Sequence, residues 1–313
     1  MFTYDRDNPE WWRSSQITRL LQEKLSSRHI YGFALDKMSD TTLVTAYYKI
    51  PSKYPHTEYD KWMASFLSLP TAMVIYTDEQ SENEIRNLRC KLHGHADLTH
   101  IIVRPLMASL IYQEFYSYFK YCETIDSEHC HNASLYTIWN AKAQWVHEAV
   151  TMNIFNSRWF IWCDIGCCRN GIGEMKPLLT FPNIQTIESK LNLPNNKLCL
   201  FAINAFSAEE KRESERIIQK AQGRHESLDL PAVLRKPARD YFRIQGGIML
   251  GTARSWERWT LLYYKQLRRF KQNGWFGGKD QYVMNALALW YPNDVHVVAV
   301  PGSDWFWFRH YLK

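Results

Sequence analysis

The chain has 313 residues, 46% of them hydrophobic and 15% aromatic, enough to bury one large core. Its formal charge of +6 is spread among acidic residues rather than gathered in blocks or arms, so nucleic acid is not an indicated partner. No apolar run approaches the roughly 20 residues that span a bilayer, and the start, MFTYDRDNPEWWR, lacks a signal peptide's apolar stretch, so the expectation is a soluble, cytoplasmic chain.

Residues 1–40, rich in Trp, Arg and Gln, read as an N-terminal helical extension with an amphipathic helix over 14–26, ahead of a domain spanning 41–313. At TTLVTAYYKI, β-branched and aromatic residues cluster over 41–50 and predict the first core strand. TEYDKWMASFLSLP puts Tyr59, Met63, Phe66 and Leu67 on one helical face and ends at Pro70. TAMVIYTDE is a short apolar strand that stops on an acidic pair. Strand, helix, strand at this spacing is a βαβ unit, which builds a parallel sheet through a right-handed crossover.

The pattern repeats. SENEIRNLRCKL predicts a helix, LTHIIVRPL a third strand, and SLYTIWNAKAQWVHEAVTMN a long helix with Tyr136, Trp139, Ala143 and Val146 on one face. Lys142 falls opposite that stripe. RWFIWCDIG follows, apolar on both faces as a central strand covered by helices must be. The second half is less regular: LPNNKLCLFAINAF is a strand, SAEEKRESERIIQKAQGR a charged helix, and YFRIQGGIMLGTA a strand interrupted by Gly246 and Gly247. SWERWTLLYYKQLRRFKQNG is a second long helix, with Gly274 in the C-cap position. WFGGKDQYVMNALALWYP is a loop that starts a helix at Asp280, and VHVVAVPGSDWFWFRHYLK is a strand with an aromatic tail. The seven cysteines show no paired CxxC motifs and read as thiols.

Asp164 ends the most apolar strand. Fully burying an ionised carboxylate costs several kcal/mol unless something pairs with it, so Asp164 needs a partner. In a parallel sheet ligands bind beyond the carboxyl ends of the strands, and Asp78 and Asp164 both stand on that rim. The plainer alternative is a strand-end Asp that caps a turn at Gly166 and pairs with Arg169.

The blocks TLVTAYYKI, EYDKWMASFL, VIYTDE, LYTIWNAKAQWVHEAVTMNIFNSRWFIWCDIGCCR and GGIMLG…KDQYVMNALAL, in that order, resemble the HtrL/YibB family. The resemblance runs from about Thr41 to the C-terminus and is most specific in its central block. That family is linked by association to bacterial surface polysaccharide and resembles glycosyltransferases of the GT-A fold. The implied fold class is α/β, with a GT-A-like (Rossmann-like), mostly parallel sheet flanked by helices. The implied activity is sugar transfer from a nucleoside diphosphate sugar donor to a glycan or other hydroxyl acceptor, assisted by Mn²⁺ or Mg²⁺. The alternative, from another class, is a non-catalytic nucleotide-sugar or glycan-binding protein of the same fold.

The resemblance also implies roles. Asp164-Ile165-Gly166 stands where such enzymes carry D-x-D, with glycine in place of the second acid. Asp164 would hold the metal, since Mg²⁺ and Mn²⁺ commonly accept few protein carboxylates plus phosphate and water; the late histidine such enzymes supply to the metal would be His296 or His310, the two that follow Asp280, with His310 taken as the candidate ligand. Arg169 is an alternative source of positive charge for a diphosphate. Ala46 and Tyr47 would touch the nucleotide, Asp78 the ribose or base, and Arg104 a phosphate, with a turn residue and a salt bridge as the ordinary readings of Asp78 and Arg104. Lys142 and Gly166 join the donor set. Gly246 and Gly247 would lie against the donor sugar or form a β-bulge. Asp280 and Gln281 resemble the segment in which GT-A enzymes place an acidic residue near the donor sugar and the acceptor hydroxyl; Asp280 would be the base that takes the acceptor's proton, and it also suits the N-cap of its helix.

Overall fold

The computed structural model describes residues 39–169, 181–193, 195–224, 229, 234, 243–299 and 306. The expected helix over 14–26 and His310 lie outside the described residues, as does most of the aromatic tail. Seven strands form one sheet in the order β3-β2-β1-β4-β6-β5-β7. They are β1 (Thr41–Tyr47), β2 (Ala72–Thr77), β3 (Thr99–Val103), β4 (Trp159–Cys163), β5 (Leu198–Ala202), β6 (Ile244–Thr252) and β7 (Val295–Ala299). β1 pairs in parallel with β2 and β4, β2 with β3, and β5 with β7, while β6 runs antiparallel to both its neighbours. The sheet is therefore mostly parallel and flanked by helices, as the resemblance implies.

The central strands are buried along their whole length, which is why they read as continuous apolar runs. Alternate residues feed two cores. Val44, Ala46, Val74, Tyr76, Phe160 and Trp162 face one, and Leu43, Tyr47, Met73, Ile75, Ile161 and Cys163 face the other. Each large side chain so buried stabilises by about 1.5–3 kcal/mol. The first core is covered by α3 (Leu110–Ile125), α4 (Ala133–Met152), α7 (Ala253–Gln272) and α8 (Asp280–Trp290). The second lies under α1 (His56–Leu67), α2 (Glu79–Arg86) and α5 (Ile184–Leu191), and the charged α6 (Ala208–Arg224) packs beside α8.

Several details depart from the sequence reading. The first strand stops at Tyr47 rather than Ile50, and α2 gives way to a π-helical turn over Asn87–Leu92. That turn aims the fully buried Arg89 at the carbonyls of Leu67 and Thr71, 2.9 and 2.5 Å away, and of Leu69. α3 is a helix to which the sequence reading assigns nothing; its Ser109 cap accepts from the Tyr112 amide at 3.1 Å. α4 is not amphipathic: it is buried nearly all round because the sheet, α3 and α7 surround it. Its N-cap is Asn132, whose side chain accepts from the Leu135 amide. Gly274 follows α7 at φ +63°, the left-handed conformation expected after a helix end. Among the described residues no helix is long and apolar enough to cross a membrane, and the seven cysteines form no disulfide.

Candidate functional site

A cavity of about 780 Å³ opens over the carboxyl ends of β1 and β4. Ala46 and Tyr47 from β1, Asp164, Gly166 and Arg169 beyond β4, Lys142 on α4, and Asp280 and Gln281 opening α8 all line it. These residues are far apart in sequence. The parallel crossovers bring them to one rim, the place where such sheets bind ligands.

Asp164 extends β4 by one residue, its amide donating to the Gly247 carbonyl at 2.8 Å. The Cys167 amide then closes a turn onto the Asp164 carbonyl at 3.0 Å. Its side chain keeps 30% exposure toward the cavity. Oδ1 accepts from the Trp162 indole at 2.8 Å and lies 3.2 Å from Lys142 Nζ. So the partner that a buried strand-end carboxylate requires is not Arg169 but a lysine from the covering helix.

Lys142 is the centre of the site. Its side chain is 4% exposed, and its ammonium donates to the Gly246 carbonyl at 2.9 Å and faces Asp280 Oδ2 at 2.8 Å as well as Asp164. Burial would lower its pKa, but the two carboxylates more than offset this and raise it. It sits 5.8 Å over the Trp162 ring, which stacks on Trp145, which in turn stacks on Tyr48 and Tyr76. The aromatic stack is a stiff floor for the ion cluster. A position opposite an apolar stripe ordinarily faces water; here α4 has no water-facing side at Lys142.

Asp280 is held the other way. Burial lifts its carboxyl to about 6 against the pull of the Lys142 ammonium. Oδ2 lies close to the ammonium without hydrogen-bond alignment, so it retains acceptor capacity. Asp280 is the first residue of α8, and its predecessor Lys279 occupies the N-cap position with no side-chain cap bond. The preceding loop is clamped: Asn140 donates to the Gly278 carbonyl at 2.8 Å and accepts from the Tyr263 hydroxyl at 2.6 Å. Lys279 donates to Asp126 at 3.1 Å and Glu128 at 2.8 Å.

The two strand glycines serve this cluster. Gly246 has φ +66°, and a Cβ there would meet Asp280 Oδ2 at 3.0 Å and Met284 at 2.7 Å. On Gly247 it would meet Phe306 at 2.6 Å, Gln245 Oε1 at 2.8 Å and Asp164 Oδ2 at 3.2 Å. The register against β5 shifts opposite this segment, as in a bulge. What approaches these glycines is Met284 and Phe306 together with the site's own carboxylates.

Arg169 donates Nε–H to the Gly166 carbonyl at 3.2 Å, and its guanidinium lies over the rings of Trp62, Phe306 and Tyr54 at 4.6, 4.8 and 5.3 Å. The Tyr47 hydroxyl donates to Asp60 at 3.0 Å, and burial first, then that carboxylate, pushes its pKa up. Two candidates lie away from the cavity. Asp78 caps α2, accepting from the Ser81 amide at 3.1 Å. Arg104 pairs with Glu148 at 3.1 Å and covers Tyr76. For both, the ordinary reading is the one the geometry matches.

The sequence reading missed Asn140, Lys279, Glu128, Cys130, His131 and Trp139, the last four of which, with Lys279, line the cavity. The one legible signal was Asn140, Lys142 and Gln144 set in an otherwise apolar helix, where a polar residue implies a buried partner. Among the described residues Asp164 belongs to no cluster of three or more metal-ligating side chains.

Solved structures similar to this chain include three glycosyltransferases. Mouse xyloside xylosyltransferase 1 in its apo form is 13% identical at a TM-score of 0.44, with 83% of this chain and 85% of that chain covered. The mannosyltransferase Ktr4p of S. cerevisiae is 11% identical at 0.44, covering 94% and 80%. Core-mannan synthase A of Aspergillus fumigatus, in a Mn/GDP form, is 9% identical at 0.43, covering 85% and 74%. No curated protein matches the sequence. The sequence profile of the HtrL_YibB family, described as bacterial protein of unknown function, matches residues 39–312, and the chain belongs to that family.

Proposed function

We propose that this chain transfers a sugar from a nucleoside diphosphate sugar to a hydroxyl of a glycan or other acceptor. The observation that carries the reading is the Asp164–Lys142–Asp280 cluster on the floor of an aromatic-walled cavity at the carboxyl rim of the sheet. In the reaction the donor's anomeric C–O bond breaks, the diphosphate leaves with the bonding pair, the acceptor oxygen bonds to the anomeric carbon, and its proton passes to a base. Asp280 suits that last task, because a carboxylate lifted to about 6 by burial accepts a proton near neutral pH. Lys142 keeps Asp280 and Asp164 apart and oriented. Tyr54, Tyr59 and Trp139 offer flat faces to a base or a pyranose ring.

The departing diphosphate needs positive charge. Arg169, held by its aromatic neighbours, supplies it from this chain. Asp164 also suits a single-carboxylate site for Mn²⁺ or Mg²⁺: Oδ1 is engaged by Trp162 and Lys142, and the side chain is partly open to the cavity. A divalent ion bound there would add Lewis-acid neutralisation of the diphosphate. His310 stays a candidate second ligand.

A non-catalytic binding protein is the second reading, favoured by Gly166 in place of a second acid. A thermal-shift panel of nucleoside diphosphates and their sugars, with and without Mn²⁺, tests the site: a ligand at a hundred times its Kd stabilises by about 2.7 kcal/mol. The expected result is a shift with one nucleotide class that is lost in Asp164→Ala; no shift with any of them contradicts the proposal.

A further inference from the structure

A second chemical site shares the wall of the same cavity. Between the end of α3 and the start of α4, the chain places Glu128, Cys130 and His131 side by side. Cys130 Sγ lies 3.4 Å from His131 Nε2 and 4.0 Å from Glu128 Oε2, and Nε2 lies 3.7 Å from the same carboxylate oxygen. Ligands about 2.0–2.3 Å from a tetrahedral zinc ion stand roughly 3.3–3.6 Å apart. The three atoms therefore need to draw in by only a few tenths of an ångström.

The histidine is already oriented as a ligand. Its side chain is 7% exposed, and Nδ1 lies 2.8 Å from Asp126, which is itself 1% exposed. Asp126 is itself fixed in place: it accepts from the Tyr136 hydroxyl at 2.6 Å, from the Glu128 amide at 3.0 Å and from Lys279 at 3.1 Å. With Nδ1 engaged by the Asp126 carboxylate, the ring presents Nε2 to Cys130 and Glu128. A carboxylate behind a histidine whose other nitrogen is presented is the usual support of a metal-bound imidazole. Lys279 takes Oε1 of Glu128 at 2.8 Å and leaves Oε2 facing the cluster. The remaining cation nearby, Lys53, is 4.0 Å from Oε2 on a side chain 56% exposed, long enough to swing away.

We propose that Glu128, Cys130 and His131 bind a transition metal ion of the zinc class, with a fourth coordination position open to the cavity. The mixed O, S and N donor set selects for zinc over magnesium or calcium, which take oxygen ligands. On binding, the Cys130 thiol releases its proton to solvent and coordinates as thiolate. The fourth position admits water or an oxygen of whatever occupies the cavity. This site is separate from Asp164 and holds whether or not the chain transfers sugars.

The test uses the full chain stripped of metal by chelation. Zn²⁺ is titrated against a competing chromophoric chelator, and Co²⁺ is added separately to read its visible spectrum. The expected result is one equivalent bound, with a thiolate-to-cobalt charge-transfer band. Cys130→Ser should abolish that band, His131→Ala should weaken zinc at least 100-fold, and Asp126→Asn 10- to 100-fold as a positioning residue. Asp78→Asn, at the α2 cap away from the cavity, should leave both readouts unchanged. Circular dichroism of each variant confirms folding, and Glu128→Gln, a nearly isosteric change, serves if His131→Ala does not fold. Weak or no zinc binding by the wild-type chain, or equal binding by Cys130→Ser, would overturn the proposal.

Discussion

Replacing Lys142 by Met removes the positive charge and keeps most of the volume. The ammonium lies 2.8 Å from Asp280 and 3.2 Å from Asp164. At an effective dielectric constant near 20, each contact is worth about 5–6 kcal/mol of Coulomb attraction before the ammonium's desolvation is subtracted. Removing one partner of a buried cluster leaves the others uncompensated, and the net loss is about 3–5 kcal/mol. For a chain of this size that is a fall in Tm of roughly 6–10 °C. The loss should depend on pH. Asp280 has a folded pKa of about 6, above its usual 3.8. The folded state therefore holds an extra proton between those values, and stability falls as pH rises through that window. Without Lys142 the Asp280 pKa rises further and the window extends upward, so the deficit of Lys142→Met is larger at pH 8 than at pH 5. In an Asp280→Asn background the same substitution costs less, by more than about 1 kcal/mol in a double-mutant cycle. Urea denaturation of the four chains at both pH values measures all three quantities. A deficit below about 1 kcal/mol that is flat with pH and additive with Asp280→Asn would refute the placement of the ammonium between two buried carboxylates.

Gly247→Ala puts a methyl 2.6 Å from the Phe306 ring and 2.8 Å from Gln245 Oε1, and should cost about 1–3 kcal/mol in thermal denaturation. Asn140→Ala strips the Tyr263 hydroxyl and the Gly278 carbonyl of their partner and should destabilise by about 2–3 kcal/mol, with weaker turnover because the loop before Asp280 loosens. If Asp280 is the base, kcat/KM falls as pH drops below about 6, and Asp280→Asn removes that limb along with most of the activity, measured as diphosphate release. Arg169→Ala should raise the donor's KM without changing the Tm by more than a few degrees.

The mostly parallel sheet was legible because β1, β2 and β4 are buried on both faces and so write unbroken apolar runs such as AMVIYT and WFIWC. The antiparallel course of β6 was not, since strand direction depends on crossovers that leave no local mark. In the site, Asp164 was legible for a physical reason: a charge directly after a buried run demands a partner. Which partner was a tertiary matter. Lys142 is 22 positions earlier, on the helix that covers the strand, and it is buried because that side of the helix lies on the sheet, over Trp162 and the Gly246 carbonyl. Gly246 and Gly247 announced a close approach, and only the fold identifies what approaches: Met284 and the Asp280 carboxylate at the first, Phe306, Gln245 and the Asp164 carboxylate at the second. The Glu128, Cys130 and His131 cluster was passed over because its spacing matches no paired-cysteine pattern.

The most direct test of the central claim is release of nucleoside diphosphate from a panel of donor sugars, comparing the wild-type chain with Asp164→Ala. The account predicts release from one donor class, raised by acceptor, and at least a 100-fold slower release from the variant, on the order seen when a group stabilising developing charge is removed. A nucleotide that binds the cavity and is never released from its sugar, or release at the same rate from Asp164→Ala, would contradict it.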